Sequence, residues 1–372
     1  MAQRTSMGFA DGPPDGTIGV LLNAGTYSFY MSARSSASCS GTPSTEGTYR
    51  FGGTLGAMNQ AYGCQALTQP SANGDPNGYT FDQDYAGGGP VLPITSGGQS
   101  AVLLVYHGEF HGGACANLGQ CFYSSLGMAV SHDNGATFSK LGEIIQPYPT
   151  RTSILSANQN LDVGGGTMVL ADTNGAYIAD LASADPTTVY LYIFYTDQDP
   201  GAASSLPCNT YTCLAVARAK LSDIETAALA GNTAIFPGLF RKYYQGSFTQ
   251  PATSNDPNAA VNSGHYTPVV PVVGSFPSVL YDASTQQYLL AYTTGNNAVE
   301  MRNGSTLLSW SAPIASGAIG GTGNLLYPTL VGEGADPLIG NGNPYLYYVR
   351  STGNPFWTNA TVISRRVQLS NQ

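Results

Sequence analysis

Residues 88–92, GGPVL, and residues 100–109, SAVLLVYHGE, form the clearest copy of a unit that recurs along this sequence. A short apolar strand opens with Gly or Pro, a turn follows, and the second strand is rich in Tyr and Leu. Further strands at residues 126–131 and 138–145 complete the unit. Short apolar runs separated by Gly, Pro, Asn and Asp are typical of antiparallel sheets.

Four more copies of this unit follow the same internal order. They begin at residues 17–22, TIGVLL, at residues 165–170, GGTMVL, at residues 276–280, FPSVL, and at residues 327–330, YPTL. The only helical pattern is short, at residues 222–230. Five four-stranded units predict an all-β fold, a five-bladed β-propeller, as one domain spanning residues 1–372. A large sandwich or jelly roll also has many short strands, but the repeated order favours the propeller.

The composition excludes several classes of protein. Only 9% of the residues are charged, against about 25% in an average domain, and the chain has 3 Lys and 6 Glu, too few for a mainly helical protein. The net charge of -9 leaves no basic stripe for phosphates, which argues against a nucleic-acid partner. The longest apolar run is strand-sized, so we expect no membrane partner.

The six cysteines form an even set with short local spacings. We expect three disulfides, Cys115–Cys121 and Cys208–Cys213 within polar loops, and Cys39–Cys64 from the remaining two. Free thiols or a metal site are the alternatives. Disulfides predict a secreted, extracellular or periplasmic protein, and residues 1–12 lack the apolar segment of a signal peptide, so we expect that the signal of an exported protein has been removed.

One local motif has a structural explanation. Residues 131–138, SHDNGATF, fit the S-x-D-x-G-x-T-[FW] pattern of the Asp-box, a hairpin between outer propeller strands in sialidases and related glycosidases. Asp133 can accept backbone N–H bonds of the turn, and Gly135 permits a positive φ. We therefore expect Asp133 to be structural, and not catalytic.

The candidate catalytic residues are the acids at strand ends that converge on one end of a propeller. Asp84 and Asp162 each precede three consecutive glycines that lead into an apolar strand, and glycines let a backbone or ligand approach closely. Glu109 ends a second strand between His107 and His111, which are half of all the histidines. Glycosidic bond cleavage needs two carboxyl groups, one protonated and one ionised. We therefore predict Asp84, Asp162 and Glu109 as the catalytic set.

With these repeats and acids, the chain resembles the five-bladed propeller glycoside hydrolases of the arabinanase, xylosidase, fructosidase and invertase type. The resemblance implies an Asp that acts as base or nucleophile, an Asp that orients the substrate, and a Glu that acts as acid. Asp84 and Asp162 match the inner-strand positions of the two Asp residues, whereas Glu109 ends a second strand. The resemblance to sialidases is weaker and depends on the single Asp-box and on arginines at strand ends.

A second set of residues is predicted to bind substrate. Their side chains are polar, basic or aromatic and lie at strand ends or in loops near the predicted funnel: His107, His111, Asp197, His265, Arg34, Arg350 and Tyr85. The arginines would hold an acidic sugar or pair with aspartates. We expect no required cofactor, although the resemblance leaves open a structural calcium ion near the channel, supported by His265 through waters.

The sequence therefore predicts a secreted glycoside hydrolase that acts on a polysaccharide or oligosaccharide, with a furanoside or pentose polymer as the expected substrate. Asp84 would activate water or attack the anomeric carbon, Glu109 would protonate the leaving oxygen, and Asp162 would orient the sugar. A carbohydrate-binding propeller without catalysis and a polysaccharide lyase that uses His and Tyr are the alternatives.

Overall fold

The computed structural model describes residues 5–7, 15–34, 46–61, 66–71, 81–111, 122–148, 160–198, 208, 212–233, 236–253, 264–319, 323–353 and 360–369. Their strands form five antiparallel sheets in a ring, which confirms the predicted five-bladed β-propeller. Each sheet is one blade, and each blade starts with its inner strand.

The blades follow the chain order. Blade one holds β2 (Gly19–Asn23), β3 (Thr26–Arg34), β4 (Glu46–Thr54) and β5 (Ala57–Ala61), and blade two holds β6 (Tyr85–Gly87), β7 (Val91–Ser96), β8 (Gln99–Phe110), β9 (Tyr123–Ser131) and β10 (Ser139–Ile145). Blade three holds β11 (Val163–Asp172), β12 (Val189–Asp197), β13 (Cys213–Lys220), β14 (Arg241–Tyr244) and β15 (Ser247–Pro251). Blade four holds β16 (Gly274–Asp282), β17 (Gln287–Thr294), β18 (Val299–Gly304), β19 (Ala315–Ile319) and the short parallel strand β21 (Ile339–Gly340). Blade five holds β20 (Asn324–Val331), β22 (Tyr345–Ser351), β23 (Ala360–Arg366) and β1 (Thr5–Met7).

Both ends of the described chain meet in blade five. Strand β1 pairs antiparallel with β23, with Ser6 opposite Ile363, and so supplies the outermost strand of the last blade. The ring is thus closed by main-chain hydrogen bonds between residues more than 350 positions apart.

Two helices follow blade three's third strand. The predicted helix at residues 222–230 is confirmed as α1 (Leu221–Leu229), which buries Leu221, Ile224, Ala227 and Ala228, and α2 (Phe236–Leu239) follows it. No helix in the described part of the chain has the length and apolar character needed to cross a membrane.

Short hydroxyl side chains connect neighbouring inner strands near the axis. Thr329 Oγ1 accepts the backbone N–H of Ile18 at 3.0 Å, and Ser278 Oγ accepts that of Leu330 at 2.8 Å. Thr17 Oγ1 donates to the Gly166 carbonyl at 2.7 Å, a bond from blade one to blade three. These bonds satisfy buried backbone groups where the five strands crowd together, and the last one leaves no open channel between those two strands.

Two local predictions are confirmed. Cys208 and Cys213 form a disulfide with a Cα–Cα distance of 5.5 Å, whereas Cys39, Cys64, Cys115 and Cys121 lie outside the described residues. In the Asp-box, Asp133 accepts backbone N–H bonds from Ala136 at 3.1 Å and Thr137 at 2.8 Å. Gly135 has a φ of 78°, as the turn requires.

Candidate active site

The candidate site lies where the inner strands begin and the second strands end, which we call the funnel face. Strand β8 reaches furthest into it, because the inner strand of blade two is split into β6 and β7 by glycines of positive φ, Gly88 and Gly89. The short strand β6 pairs with the end of β8, with Tyr85 opposite Glu109. The predicted segment of Asp and three glycines at the start of blade two thus forms the strand that pairs with the end of β8, where Glu109 lies.

Glu109 is bound by a histidine of its own strand end. His111 Nε2 lies 2.6 Å from Glu109 Oε2, and the glutamate side chain is only 10% exposed. The hydrogen bond to Glu109 raises the pKa of His111, while burial opposes this. His111 is therefore held protonated to higher pH than a free histidine.

Asp84 forms hydrogen bonds with the backbone of both His111 and Glu109. Its Oδ2 accepts the backbone N–H of His111 at 2.6 Å, and its own N–H donates to the Glu109 carbonyl at 3.0 Å. The Asp84 residue is exposed. The structure thus brings Asp84 next to Glu109 and His111, where it fixes the backbone of the β8 end.

His107 lies between two carboxylates that come from different blades. Its Nδ1 is 3.9 Å from Glu109 Oε1, and its Nε2 is 3.8 Å from Asp162 Oδ1. Ser124 donates a 2.7 Å hydrogen bond to the same Asp162 oxygen. A Cβ on Gly164 would lie 2.9 Å from Asp162 Oδ1 and 3.2 Å from His107 Cε1, so glycine provides the space for this contact.

Asp15, which was not among the predicted site residues, joins the same group. Its carboxylate accepts a hydrogen bond from the Tyr327 hydroxyl, its backbone N–H donates to Ser32 Oγ, and Tyr85 donates to its carbonyl at 3.3 Å. Burial raises the pKa of Asp15, and the charges of Glu109 and Asp162 raise it further. The Tyr327 hydrogen bond and His107 act in the opposite direction.

The position of Asp15 is repeated in the other blades, with different side chains. Gly165, Phe276 and Tyr327 occupy the matching bulges of blades three, four and five, with φ values of 57°, 54° and 55°. The hydrogen bonds of Ile18 and Leu330 to the preceding blades align Asp15 with Tyr327. Phe276 and Tyr327 pack together at 4.4 Å between ring centroids. Positive φ at bulky residues is uncommon and concentrates at functional sites.

Tyr85 forms part of the same group. It is buried, and its ring meets His107 edge to face at 6.0 Å. Burial raises the pKa of both Tyr85 and Tyr327 well above the ordinary value, so both hydroxyls remain neutral donors. The site therefore combines four carboxyl groups, two histidines and two tyrosines, the carboxyl groups being those of Asp15, Asp84, Glu109 and Asp162.

The other four predicted binding residues are Asp197, His265, Arg350 and Arg34. Asp197 is completely buried, its Oδ2 accepts a 2.8 Å hydrogen bond from Lys242, and its role in substrate binding stays a prediction. His265 stacks on Tyr148 at 3.8 Å between ring centroids. Arg350 lies near the end of β22, opposite Leu325, and Arg34 ends β3 with its side chain outside the described part.

The described residues include no group of three or more His, Cys, Asp or Glu that could hold a metal ion. The calcium prediction centred on His265, and that ring is stacked with Tyr148 and, at 5.9 Å, with Tyr244. A structural calcium ion near the channel stays a prediction.

Sequence reasoning missed Asp15 because it searched for an Asp before a run of glycines. The signal that could have found it is positional. Asp15 precedes Gly16, Thr17 and Ile18 as Tyr327 precedes Pro328, Thr329 and Leu330, so an alignment of these two segments places an acid at the position of Tyr327.

Comparison with solved structures shows the fold. An α-L-arabinofuranosidase from Podospora anserina in complex with cellotriose has a TM-score of 0.51 at 12% identity, over 99% of this chain and 97% of that chain. A GH62 hydrolase in complex with xylotriose gives 0.51 at 12% identity, over 98% and 97%. A third structure, described as a glycoside hydrolase, gives 0.52 at 11% identity, over 99% and 92%. No protein-family model and no curated protein matches this chain.

Proposed function

We propose that this protein is a glycoside hydrolase that cleaves its substrate at the funnel face. The observation that carries the proposal is the convergence of three carboxyl groups from three blades, Asp15, Glu109 and Asp162, around His107. A glycosidic bond is cleaved when one carboxyl group protonates the leaving oxygen and another, ionised, activates water or attacks the anomeric carbon. Different surroundings for neighbouring carboxyls provide such a pair.

The reaction also needs one carboxyl group to be protonated and another to be ionised at the same pH. Glu109 has the imidazole of His111 at 2.6 Å, whereas Asp15 is half-buried and accepts hydrogen bonds from neutral tyrosines. Asp84, which the sequence suggested as base, is proposed to support the site by holding His111.

For the substrate we propose a polysaccharide or oligosaccharide of pentose or furanoside type. The support is limited to similarity of fold with an arabinofuranosidase complexed with cellotriose and a hydrolase complexed with xylotriose. Neutral sugars also suit a site with a surplus of acids. The Cys208–Cys213 disulfide supports a further proposal, that the protein works in an oxidising compartment outside the cytosol.

The test is hydrolysis of a panel of arabinans, arabinoxylans, xylans and galactans, with the products separated by chromatography. We expect release of reducing sugar from at least one polymer. Glu109→Ala and Asp162→Ala should lower the rate by about 10²- to 10⁴-fold, the usual contribution of a positioned acid or base. The matched control is Asp223→Asn, because Asp223 is exposed on α1, away from the funnel face.

Two results would contradict the proposal. Normal hydrolysis in both alanine variants would remove the catalytic role of this cluster. Products that absorb in the ultraviolet as unsaturated sugars would instead indicate a lyase, in which His107 abstracts a proton. The observation that favours a lyase is that His107 Nε2 is buried with no hydrogen-bond partner among the described residues.

A further inference from the structure

A cavity lies between blades two and three on the face of the propeller opposite the funnel face. Its walls come from three segments, residues 93–97 at the end of β7, residues 170–189 between β11 and β12, and residues 221–225 at the start of α1. We call it the opposite-face cleft. Strands β7 and β11 run away from the funnel face, so these segments meet at the far end of the ring. The volume is about 600 Å³, a size typical of ligand pockets.

The walls of the opposite-face cleft are mainly aliphatic. The apolar lining includes Pro93, Ile94, Leu170, Leu181, Val189 and Leu221. Leu181 is 44% exposed, the most exposed large hydrophobic side chain of the described residues. An exposed leucine at the mouth of an aliphatic cavity enlarges the apolar area that a ligand can remove from water.

Glu225 on α1 is the charged side chain among the described residues that line the cleft. It is half-buried, and the Ser96 hydroxyl donates a hydrogen bond to its carboxylate. Among the described residues, no ion pair joins it to a Lys, Arg or His. Burial raises the pKa of Glu225, and the Ser96 hydrogen bond opposes this. A cation bound in the cleft would offset the cost of removing this carboxylate from water.

Two further acids lie at the mouth of the cleft. Asp180 immediately precedes Leu181, and Asp185 lies between the lining residues Ala184 and Pro186. Both acids are exposed, and hydrogen bonds from the residues that follow them lower the pKa of both carboxyl groups. They are therefore ionised at neutral pH, and their negative potential favours a basic ligand.

We propose that the opposite-face cleft binds a lysine side chain from a basic peptide segment of a partner protein. The stem of that lysine would lie along Leu181 and Val189, and its ammonium group would donate to the Glu225 carboxylate. A lysine combines a four-carbon apolar stem with one compact charge, which matches aliphatic walls around one carboxylate. A neighbouring apolar residue of the segment would cover the exposed part of Leu181. The inference goes beyond the proposed hydrolase function and does not depend on it.

Two other kinds of ligand fit the cleft less well. The described lining has no aromatic ring on which a sugar could stack. An anionic ligand would be repelled by Glu225 and by the two acids at the mouth, Asp180 and Asp185. The combination of apolar walls and negative charge therefore favours a ligand that is both aliphatic and cationic.

The experiment compares two peptides by isothermal titration calorimetry with the full chain. The first is Ser-Leu-Lys-Leu-Ser, acetylated and amidated at its ends so that the lysine carries its only charge. The second has Nε-acetyllysine in place of lysine, which removes the charge but keeps the stem. Wild type should bind the lysine peptide about tenfold or more tightly than the acetyllysine peptide, the usual effect of a hydrogen bond to a charged group.

Three variants locate the contact. Glu225→Gln keeps an acceptor for Ser96 and should weaken the lysine peptide by the same factor, while it leaves the acetyllysine peptide nearly unchanged. Leu181→Ser should weaken both peptides, and its exposed position should leave the fold intact. Asp336→Asn is the matched control, because Asp336 is an exposed acid between β20 and β22 that does not line the cleft. It should bind both peptides as wild type does.

The thermal midpoint of each variant verifies its fold. If Glu225→Gln melts lower than wild type, Leu181→Ser decides the location, and unchanged binding in that variant would overturn the proposal. The proposal is also overturned if neither peptide binds wild type saturably, or if both bind equally well. An equal loss in Asp336→Asn and Glu225→Gln would assign the attraction to net charge, and displacement of the lysine peptide by xylotriose would assign the cleft to saccharides. Either result would contradict the proposal.

Discussion

Replacing Lys242 by Met should destabilise the protein strongly, because it leaves Asp197 as a buried charge without its cation. Both side chains are 0% exposed, the Nζ–Oδ2 distance is 2.8 Å, and Lys242 also donates to the Gln146 carbonyl at 2.7 Å. The pair thereby connects β14 to the end of β12 and to the segment after β10.

The magnitude follows from the complete burial. Removing one partner of a buried ion pair costs about 3–5 kcal/mol. Unfolding entropy of about 2.1 cal/mol/K per residue amounts to about 0.8 kcal/mol/K for 372 residues, so this loss lowers the thermal midpoint by roughly 4–6 °C. The double variant Lys242→Met with Asp197→Leu removes both charges and should recover most of this loss, since apolar replacement of a buried pair is often neutral.

Differential scanning calorimetry at one pH and one scan rate measures all three proteins. The reasoning is refuted if the single variant melts with the wild type, or if the double variant melts as low as the single one. Hydrolysis is measured in parallel. A folded Asp197→Asn protein that loses activity at an unchanged thermal midpoint would support the prediction that Asp197 contacts the substrate.

Three further predictions concern titration. Tyr327→Phe removes a hydrogen bond that favours ionised Asp15, so the pKa of Asp15, followed by NMR titration of its side chain, should rise further. His111→Gln should lose stability that is fully present below pH ~6.5 and fades as pH rises through the raised pKa of His111, because the bond to Glu109 stabilises the protonated form. In the Asp-box, slight burial raises the pKa of Asp133, but hydrogen bonds from its turn outweigh this and lower it to about 2. Asp133→Ala should therefore destabilise the protein at neutral pH, and this difference should shrink as pH falls toward 2.

Each of these predictions has an opposite result that would contradict it. A pKa of Asp15 that falls in Tyr327→Phe would show that the hydroxyl favours the neutral acid. A His111→Gln effect on the thermal midpoint that grows with pH would mean that neutral histidine makes the stabilising contact. A loss in Asp133→Ala that is constant between pH 2 and 7 would assign it to packing and not to the charge.

The sequence predicts the blades well because their signals are local. The Tyr-rich second strand of the clearest copy and the inner strand opened by Tyr-Pro lie at their predicted positions, residues 100–109 and 327–330. The outer strands are less regular. Leu307 lies in a turn and is buried against Gly175 of the preceding blade, and β19 (Ala315–Ile319) takes the outer position of blade four.

Prediction of the site was only partial, because the site depends on which residues of different blades meet at the axis. Asp84 and Asp162 look alike in sequence, yet β6 intervenes between Asp84 and the bulge of its blade and shifts Asp84 outward. Asp15 lies before the inner strand of blade one, and its side-chain partner Tyr327 is 312 residues away. Glu109 was found because two histidines beside one of six glutamates form a pattern that is visible without the fold.

The pairing of β1 with β23 makes the position of Asp15 dependent on the completion of folding. Asp15 lies on the segment between β1 in blade five and β2 in blade one, and its side-chain partner Tyr327 belongs to blade five. A chain whose two ends have not yet met therefore holds Glu109 and Asp162 in blades two and three but has not fixed Asp15 beside them. Release of the N-terminal strand should then displace Asp15 from this group before most of the sheets unfold.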